Sequence, residues 1–230
     1  MQKRHFEMET DGFYGAYWKC KTDSDCAMIA MIGDDSEDYL ARTSVKWLHK
    51  LGVNVMTMSP AKKDYGHHNY PLERIEKAIS WLKTHGNQKI GIVGASTTGT
   101  LALTAASYFE DLTLTIGLTP SDFIWQGFMQ GKKDGCKEWP IERESLFSYK
   151  GEPLPYMPFC YKHPDYWHVI EKETKRTGDM INSRKLFDDS ETAHPITEEE
   201  MIKIEKIHGT LLLIGAEDDV LWDTAKYIRR

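Results

Sequence analysis

Apolar residues along this chain come in short runs separated by polar, turn-forming stretches, and the runs alternate between strand length and helical spacing. Phe13 to Cys20 reads as a strand, followed by a polar turn, Lys21 to Asp25. Cys26 to Gly33 is a continuous apolar run closed by Asp34-Asp35-Ser36, the pattern of a strand buried on both faces. Between about Asp38 and Leu51, the residues Leu40, Trp47, Leu48 and Leu51 fall at helical spacing, and Gly52 supplies the stop. Val53 to Met58 predicts a second buried strand, and Ala61 to Tyr70 a polar loop. Pro71 then opens a predicted helix with Leu72, Ile75, Ile79 and Leu82 as one stripe and Gly86 at its end. Lys89 to Val93 is a third strand, Thr97 to Phe109 a helix rich in small residues, and Leu112 to Leu118 a fourth strand. Such alternation predicts an α/β fold: βαβ units on a mostly parallel, doubly wound sheet with right-handed crossovers.

The rhythm breaks after Thr119-Pro120. Ser121 to His194 is long and irregular, carrying among others Trp125, Trp139, Phe159, Tyr166 and Trp167. It reads as a cap-like insertion over the sheet edge with a hairpin around Gly151. Packing of the insertion onto the sheet accounts for its aromatic residues more simply than a ligand-binding box does. Beyond it, Thr197 and Glu200 have capping-box spacing and predict a helix to about Ile207. A strand, Thr210 to Ile214, and a last helix from Trp222 to Arg230 complete the pattern. No internal repeat interrupts it, and residues 1–230 read as a single domain.

Composition narrows the function. A chain of 230 residues can bury a sizeable core. Its 29 Lys and Arg against 35 Asp and Glu give a net charge of −6, which argues against a nucleic-acid partner. No apolar run approaches the length of a bilayer span, and the charged N-terminus carries no secretory signal. Cys20, Cys26, Cys136 and Cys160 lack the spacing of a metal site or a disulfide framework. The expectation is a soluble, cytoplasmic protein with no cofactor, no metal and no membrane partner.

The chemistry concentrates in Lys89 to Leu103, where a buried strand runs through Gly94-Ala95-Ser96 straight into a helix. A serine on such a strained turn needs small neighbours, because strand and helix backbones crowd there. The helix N-terminus behind Ser96 directs N–H groups at a developing oxyanion, with Thr97 as one donor and the Gly33-Asp34 loop as the second. Gly94 and Gly99 also have the spacing of a phosphate-binding loop, but Thr100-Leu101 stands where its Lys-Ser/Thr pair belongs. The plainest alternative is a glycine-rich strand–helix turn without function. Against it stands Leu212 to Trp222, a second buried strand ending in carboxylates, Asp218 and Asp219. Serine before aspartate is the chain order of an α/β-hydrolase, in which a late acid orients the base. One of the two aspartates could instead cap the following helix.

With these residues in place, the sequence resembles the catalytic domain shared by acyl-CoA thioesterases and bile acid-CoA:amino acid N-acyltransferases, within the α/β-hydrolase superfamily. The matching stretches are Gly94-Ala95-Ser96 with Leu101-Ala102-Leu103, Ser121-Asp122-Phe123 with Trp125-Gln126-Gly127, Pro71-Leu72-Glu73 with Ala78-Ile79 and Trp81-Leu82, and Glu217 to Trp222. The resemblance implies Ser96 as nucleophile and Asp219 as acid, three residues before Trp222; counting forward from Gly215 gives Asp218 instead. It also implies an acyl-enzyme on Ser96, formed from an acyl thioester and released to water or an amine.

The sequence departs from that family in two places. Thr98 replaces the usual glycine two residues after the nucleophile, and a β-branched side chain is expected to crowd the elbow. The family's histidine follows the acid, whereas no histidine follows His208, which precedes the last strand. The expectation is a chain that lacks the final strand and helix, with an uncovered sheet edge that a homo-oligomer could complete. His67 and His68, on a loop at the carboxyl edge, and His163, His168 and His194, in the insertion, are alternative bases. About a dozen residues precede the first predicted strand, too few for an N-terminal β-sandwich. The leading expectation is therefore a serine-dependent acyl hydrolase or acyltransferase acting on a small-molecule acyl thioester or ester. Its rivals are a catalytically silent binding domain and a dienelactone-hydrolase-like carboxylic ester hydrolase that shares Ser96 and Asp219. No basic cluster awaits the phosphates of coenzyme A, so the thioester rests on the resemblance.

Overall fold

The computed structural model describes residues 3–60, 68–127, 144–162 and 165–230. In chain order its strands are β1 (Lys3–Phe6), β2 (Gly15–Trp18), β3 (Cys26–Met31), β4 (Asn54–Met58), β5 (Tyr70–Pro71), β6 (Lys89–Ala95), β7 (Leu112–Leu118), β8 (Phe147–Tyr149), β9 (Glu152–Pro153) and β10 (Thr210–Ile214). The helices are α1 (Met8–Asp11), α2 (Tyr39–Lys50), α3 (Glu73–Thr84), α4 (Thr97–Tyr108), α5 (Asp165–Thr177), α6 (Arg184–Ala193) and α7 (Thr224–Tyr227).

Seven strands form the main sheet in the order β1-β2-β4-β3-β6-β7-β10. Pairing is parallel from β4 to β10 and antiparallel at β1 and β2. The order reverses at β3, because β4 lies to one side of it and β6 to the other. In an open α/β sheet that reversal leaves a crevice beyond the carboxyl ends of the strands, which is where ligands bind. The segments that leave β3 and β6 are Gly33-Asp34 and Ser96, so the topology alone sets both at the crevice.

Helices cover both faces of the sheet, as a buried parallel sheet requires. On one face Leu72, just before α3, and Ile75, Ile79 and Leu82 within it are buried, the stripe expected from the sequence, with Ala78 beside them, and α4 is buried from Thr97 to Ala106. A helix enclosed on every side must be apolar or small throughout, which explains the Thr, Gly and Ala content of α4. On the other face α2 packs Val45 and Leu48 against Trp18, Met28, Ala30, Val55 and Val93. Its expected stripe is corrected here: Leu40, Trp47 and Leu51 are 52%, 41% and 69% exposed, and only Leu48 of that set points inward. The stripe that wins, Ala41, Ser44, Val45 and Leu48, is smaller and lets the helix lie close on the sheet.

Other expectations also shift. Pro71 belongs to β5 rather than to a helix, and α3 begins at Glu73. The helix predicted over Thr197 to Ile207 is a turn followed by a single 3-10 turn, Ile204–Lys206. Its capping box does form, with Thr197 N–H donating to Glu200 Oε2 at 2.8 Å. Met201, however, pairs with Phe123, and Ile202 N–H bonds Asp122 O, which pulls the chain out straight. The last helix is shorter than expected, and β1 was not predicted because only Phe6 within it is buried. The insertion is less irregular than its sequence suggests: it holds α5 and α6, packed on each other, and the expected hairpin, β8 and β9, turning through Lys150 and Gly151. Trp139 lies outside the described residues.

Among the described residues β10 pairs with β7 alone, and Leu212 and Ile214 are 46% and 49% exposed beside half-buried Leu114 and Ile116. Among the described residues no helix is long and apolar enough to cross a membrane.

Candidate active site

Ser96 sits between β6 and α4 with φ 58° and ψ −126°, a left-handed conformation that a side-chain-bearing residue adopts only under constraint. The constraint is visible around it. Ser96 N–H donates to Leu118 O at 2.8 Å, tying the turn to β7, and Ser96 O accepts from Gly99 N–H at 2.9 Å. A Cβ on Gly94 would overlap the Thr98 carbonyl and stand 2.8 Å from Gly99 N, so strand and helix touch there through backbone.

Thr98 does not crowd this elbow. Its Oγ1 accepts from Ala95 N–H at 3.0 Å and donates to Met31 O, at the end of β3. The side chain thus joins the nucleophile turn to the strand that precedes the Gly33 loop. Thr98→Val keeps the shape and removes the hydroxyl. We expect a loss of about 1–2 kcal/mol, read as a lower midpoint in thermal melting; an unchanged midpoint would show that the bond adds nothing.

The expected oxyanion donors separate. Thr97 N–H is the first of the helix and has no intrahelical partner. Met31 is aligned with Gly94 in the parallel ladder, so Gly33 leaves β3 at the same end of the sheet at which Ser96 leaves β6. Gly33 has φ 105°, and a Cβ there would run into the Asp38 carboxylate. Asp34 N–H is already engaged, donating to Asp38 Oδ2 at 2.7 Å. Thr97 thus opens α4 directly after Ser96 and Gly33 follows the strand that pairs with β6, while Asp34 N–H is spent on Asp38.

Asp218 and Asp219 differ as clearly. Asp218 is exposed. Asp219 is half-buried, and its carboxylate accepts from Leu221 N–H and from Thr224 Oγ1, both at 2.9 Å. These two bonds use about half of a carboxylate's acceptor positions and leave room for an imidazole N–H. The turn is clamped from the insertion: Ser183 Oγ donates to Leu221 O at 2.8 Å, and Arg184 donates to Asp219 O at 3.2 Å and to Asp223 Oδ2 at 2.6 Å. Trp222 Nε1 reaches back to Thr119 O at 3.2 Å, fixing the turn to the carboxyl end of β7. Ser183 and Arg184 could not be picked out from the sequence, because Leu221, Asp219 and Asp223 lie 35 to 39 residues further along the chain, and Thr224, five residues after Asp219, has no local pattern that marks it.

A cavity of about 140 Å³ opens at Ser96 and Thr97. Its walls come from α5 and α6 (Tyr166, Ile170, Leu186, Phe187) and from Leu221 and Trp222 of the acid turn. Burial pushes the Tyr166 phenol up to about 12, so the wall stays uncharged near neutral pH. The aromatic residues of the insertion serve two ends. Trp125, Phe187 and Trp222 pack edge-on and tilted with centroids 5.0–5.3 Å apart, which seats the insertion on the sheet. Phe187 and Trp222 of that cluster also face the cavity.

Each described histidine has a partner other than Ser96. His5 pairs with Glu37, His68 with Glu144 at 3.0 Å, His168 with Asp165 at 3.7 Å, and His194 with Glu200 at 2.6 Å. His49 and His85 face backbone carbonyls, and His208 pairs with Glu110 at the amino edge of the sheet, where it was expected. His67 and His163 lie outside the described residues, as does Cys136. Among the described residues no three His, Cys, Asp or Glu side chains come together as metal ligands would.

A sheet that reverses at β3, with a strained serine after β6 and an acid-bearing turn after the last strand, has the architecture of an α/β-hydrolase. Residues 70–230 match the family described as BAAT / Acyl-CoA thioester hydrolase C terminal. That match takes in more than two thirds of the chain, and the chain belongs to this family. No individual curated protein matches it. Among solved structures, the alpha/beta hydrolase GrgF from Penicillium sp. sh18 is similar over 99% of this chain and 84% of its own, at 17% identity and a TM-score of 0.57. Est1E from Butyrivibrio proteoclasticus matches at 21% identity over 51% of each chain, with a TM-score of 0.40. The Pyrococcus furiosus esterase Pf2001 matches at 20% identity over 47% of this chain and 45% of its own, with a TM-score of 0.38. The chain thus spans about half the length of these two esterases.

Proposed function

We propose that the protein is a serine-dependent acyl hydrolase or acyltransferase, acting on an acyl thioester or ester through an acyl-enzyme on Ser96. The observation that carries the reading is the strained Ser96 backbone at the mouth of an uncharged cavity. Strain of about 1–3 kcal/mol persists only where the surroundings enforce it, and here they present a hydroxyl to the crevice. In the reaction Ser96 Oγ attacks the acyl carbonyl carbon and its proton passes to an imidazole, that of His67 or His163, which lie outside the described residues, or one from a second copy of the chain. The N–H groups of Thr97 and Gly33 hold the oxyanion, and Asp219 orients the imidazole. Collapse of the tetrahedral species breaks the bond to the thiol or alcohol, which leaves with the proton. Water or an amine then attacks the acyl-enzyme and restores Ser96.

A second reading, a silent domain that binds an acyl ligand without turning it over, is favoured by one observation: every described histidine has another partner, and none lines the cavity at Ser96. Intact mass after exposure to a fluorophosphonate, with peptide mapping, separates the two. We expect one adduct, on Ser96, absent from Ser96→Ala, and acyl hydrolysis at least about 10³-fold slower in that variant. A folded chain that takes no adduct supports the silent domain, and hydrolysis that survives Ser96→Ala rejects Ser96 as nucleophile.

A further inference from the structure

We infer that the cavity beside Ser96 takes a compact acyl group, no larger than about one aromatic ring or a six-carbon chain, and that Ile170 and Ile181 set this limit. The inference deepens the proposed function and rests on Ser96 being the residue acylated. Its first support is size. The cavity holds about 140 Å³, and an apolar cavity of ~150 Å³ in an unrelated protein accommodates benzene. A long fatty acyl chain or a fused-ring acid has several times that bulk.

The second support is the character of the wall. Among the described residues that line it none is charged, and aromatic rings of Phe159, Tyr166, Trp167, Phe187 and Trp222 contribute much of the wall. Ser183 Oγ is already spent on Leu221 O, so it offers a ligand no free donor. Such a wall rewards apolar surface, and edge-to-face contacts reward an aryl group above an alkyl one of equal size. The third support is where the cavity ends. Tyr166, Leu186, Phe187 and Trp222 are 1–4% exposed and form a floor packed into the core. Ile170, 8% exposed on α5, is a side wall, and Ile181, 38% exposed, is a rim residue on the connection to α6.

The test needs no turnover. Calorimetric titration of the intact chain with straight-chain carboxylates from acetate to dodecanoate, and with benzoate, reads the depth of the site directly. Each methylene that enters an apolar site raises affinity about fourfold. We expect that rise up to about hexanoate and a plateau beyond it, with benzoate at least matching hexanoate. Ile170→Ala should carry the plateau to longer acids, and Ile181→Trp should weaken hexanoate while leaving acetate unchanged. A general loss of structure would weaken all acids alike. Affinity that climbs steadily to dodecanoate overturns the inference, and so does the absence of saturable binding by any of these acids. Labelling of Ser96 on the same preparation keeps the two claims apart. A plateau without an adduct discards the nucleophile and retains the compact acyl site, whereas an adduct with a steady climb does the reverse.

Discussion

Gly94→Ala should lower the melting temperature by about 6–12 °C and abolish labelling of Ser96. Overpacking a filled site costs about 1–3 kcal/mol and at times more. In a chain of this size each kcal/mol moves the midpoint by about 2–4 °C, and the upper end of the cost applies here. What the new methyl would meet is backbone: the Thr98 carbonyl and Gly99 N at 2.8 Å. Neither can rotate away, so the first turn of α4 must lift from β6. That movement breaks the bond from Thr98 Oγ1 to Met31 O and lets Ser96 relax from its left-handed conformation. Gly91→Ala, three residues earlier on the same strand, is the control. Its methyl would meet Met28 Sδ and Cε at 2.9 Å, the far end of a flexible side chain, with the nearest backbone atom, Leu114 O, at 3.2 Å, and should cost less. Equal melting temperatures for the two variants would show that the elbow is not the tight contact described here.

This contrast also explains how far the sequence could be read. The elbow was legible because its requirements are local: a strand, the glycines Gly94 and Gly99 around the serine, and a small-residue helix all lie within Lys89 to Leu103. The α3 stripe was legible for the same reason, since five buried positions repeat at helical spacing in one segment. The face of α2 was not, because its largest apolar residues compete with a smaller stripe, and only the sheet decides which one docks. α5 and α6 escaped notice because each buries few residues, Tyr166, Ile170 and Glu173 in one and Leu186, Phe187 and Ser190 in the other. The aromatic residues around them signalled packing but not the cavity they enclose. The helix expected after Thr197 failed through a contact between Phe123 and Met201, 78 residues apart, that no local pattern announces. The choice between Asp218 and Asp219 was open in the sequence, which offers two adjacent carboxylates, and the structure distinguishes them by what surrounds each.

Asp219→Asn should slow labelling of Ser96 by about 10³–10⁴-fold, whereas Asp218→Asn should leave it within about twofold. Removing the acid of a serine–histidine–aspartate array costs rates of that order, because the imidazole loses its tautomer and its stabilising charge together. Asp219 is suited to that part because its carboxylate is fixed: Leu221 N–H holds Oδ1 and Thr224 Oγ1 holds Oδ2. An asparagine there presents an NH₂ group where one of those donors already points, so the amide must rotate or lose a bond, adding about 1–3 kcal/mol of local destabilisation. Thr224→Val helps separate the two effects. It removes one of the bonds that orients Asp219 and leaves the charge, so it should slow labelling far less than Asp219→Asn while lowering the melting temperature by a comparable amount. Loss of labelling in Asp218→Asn instead would exchange the roles of the two aspartates. Undiminished rates in both variants would mean that Ser96 is activated without a carboxylate from this turn, and that the clamp of Ser183 and Arg184 on Asp219 serves the fold alone.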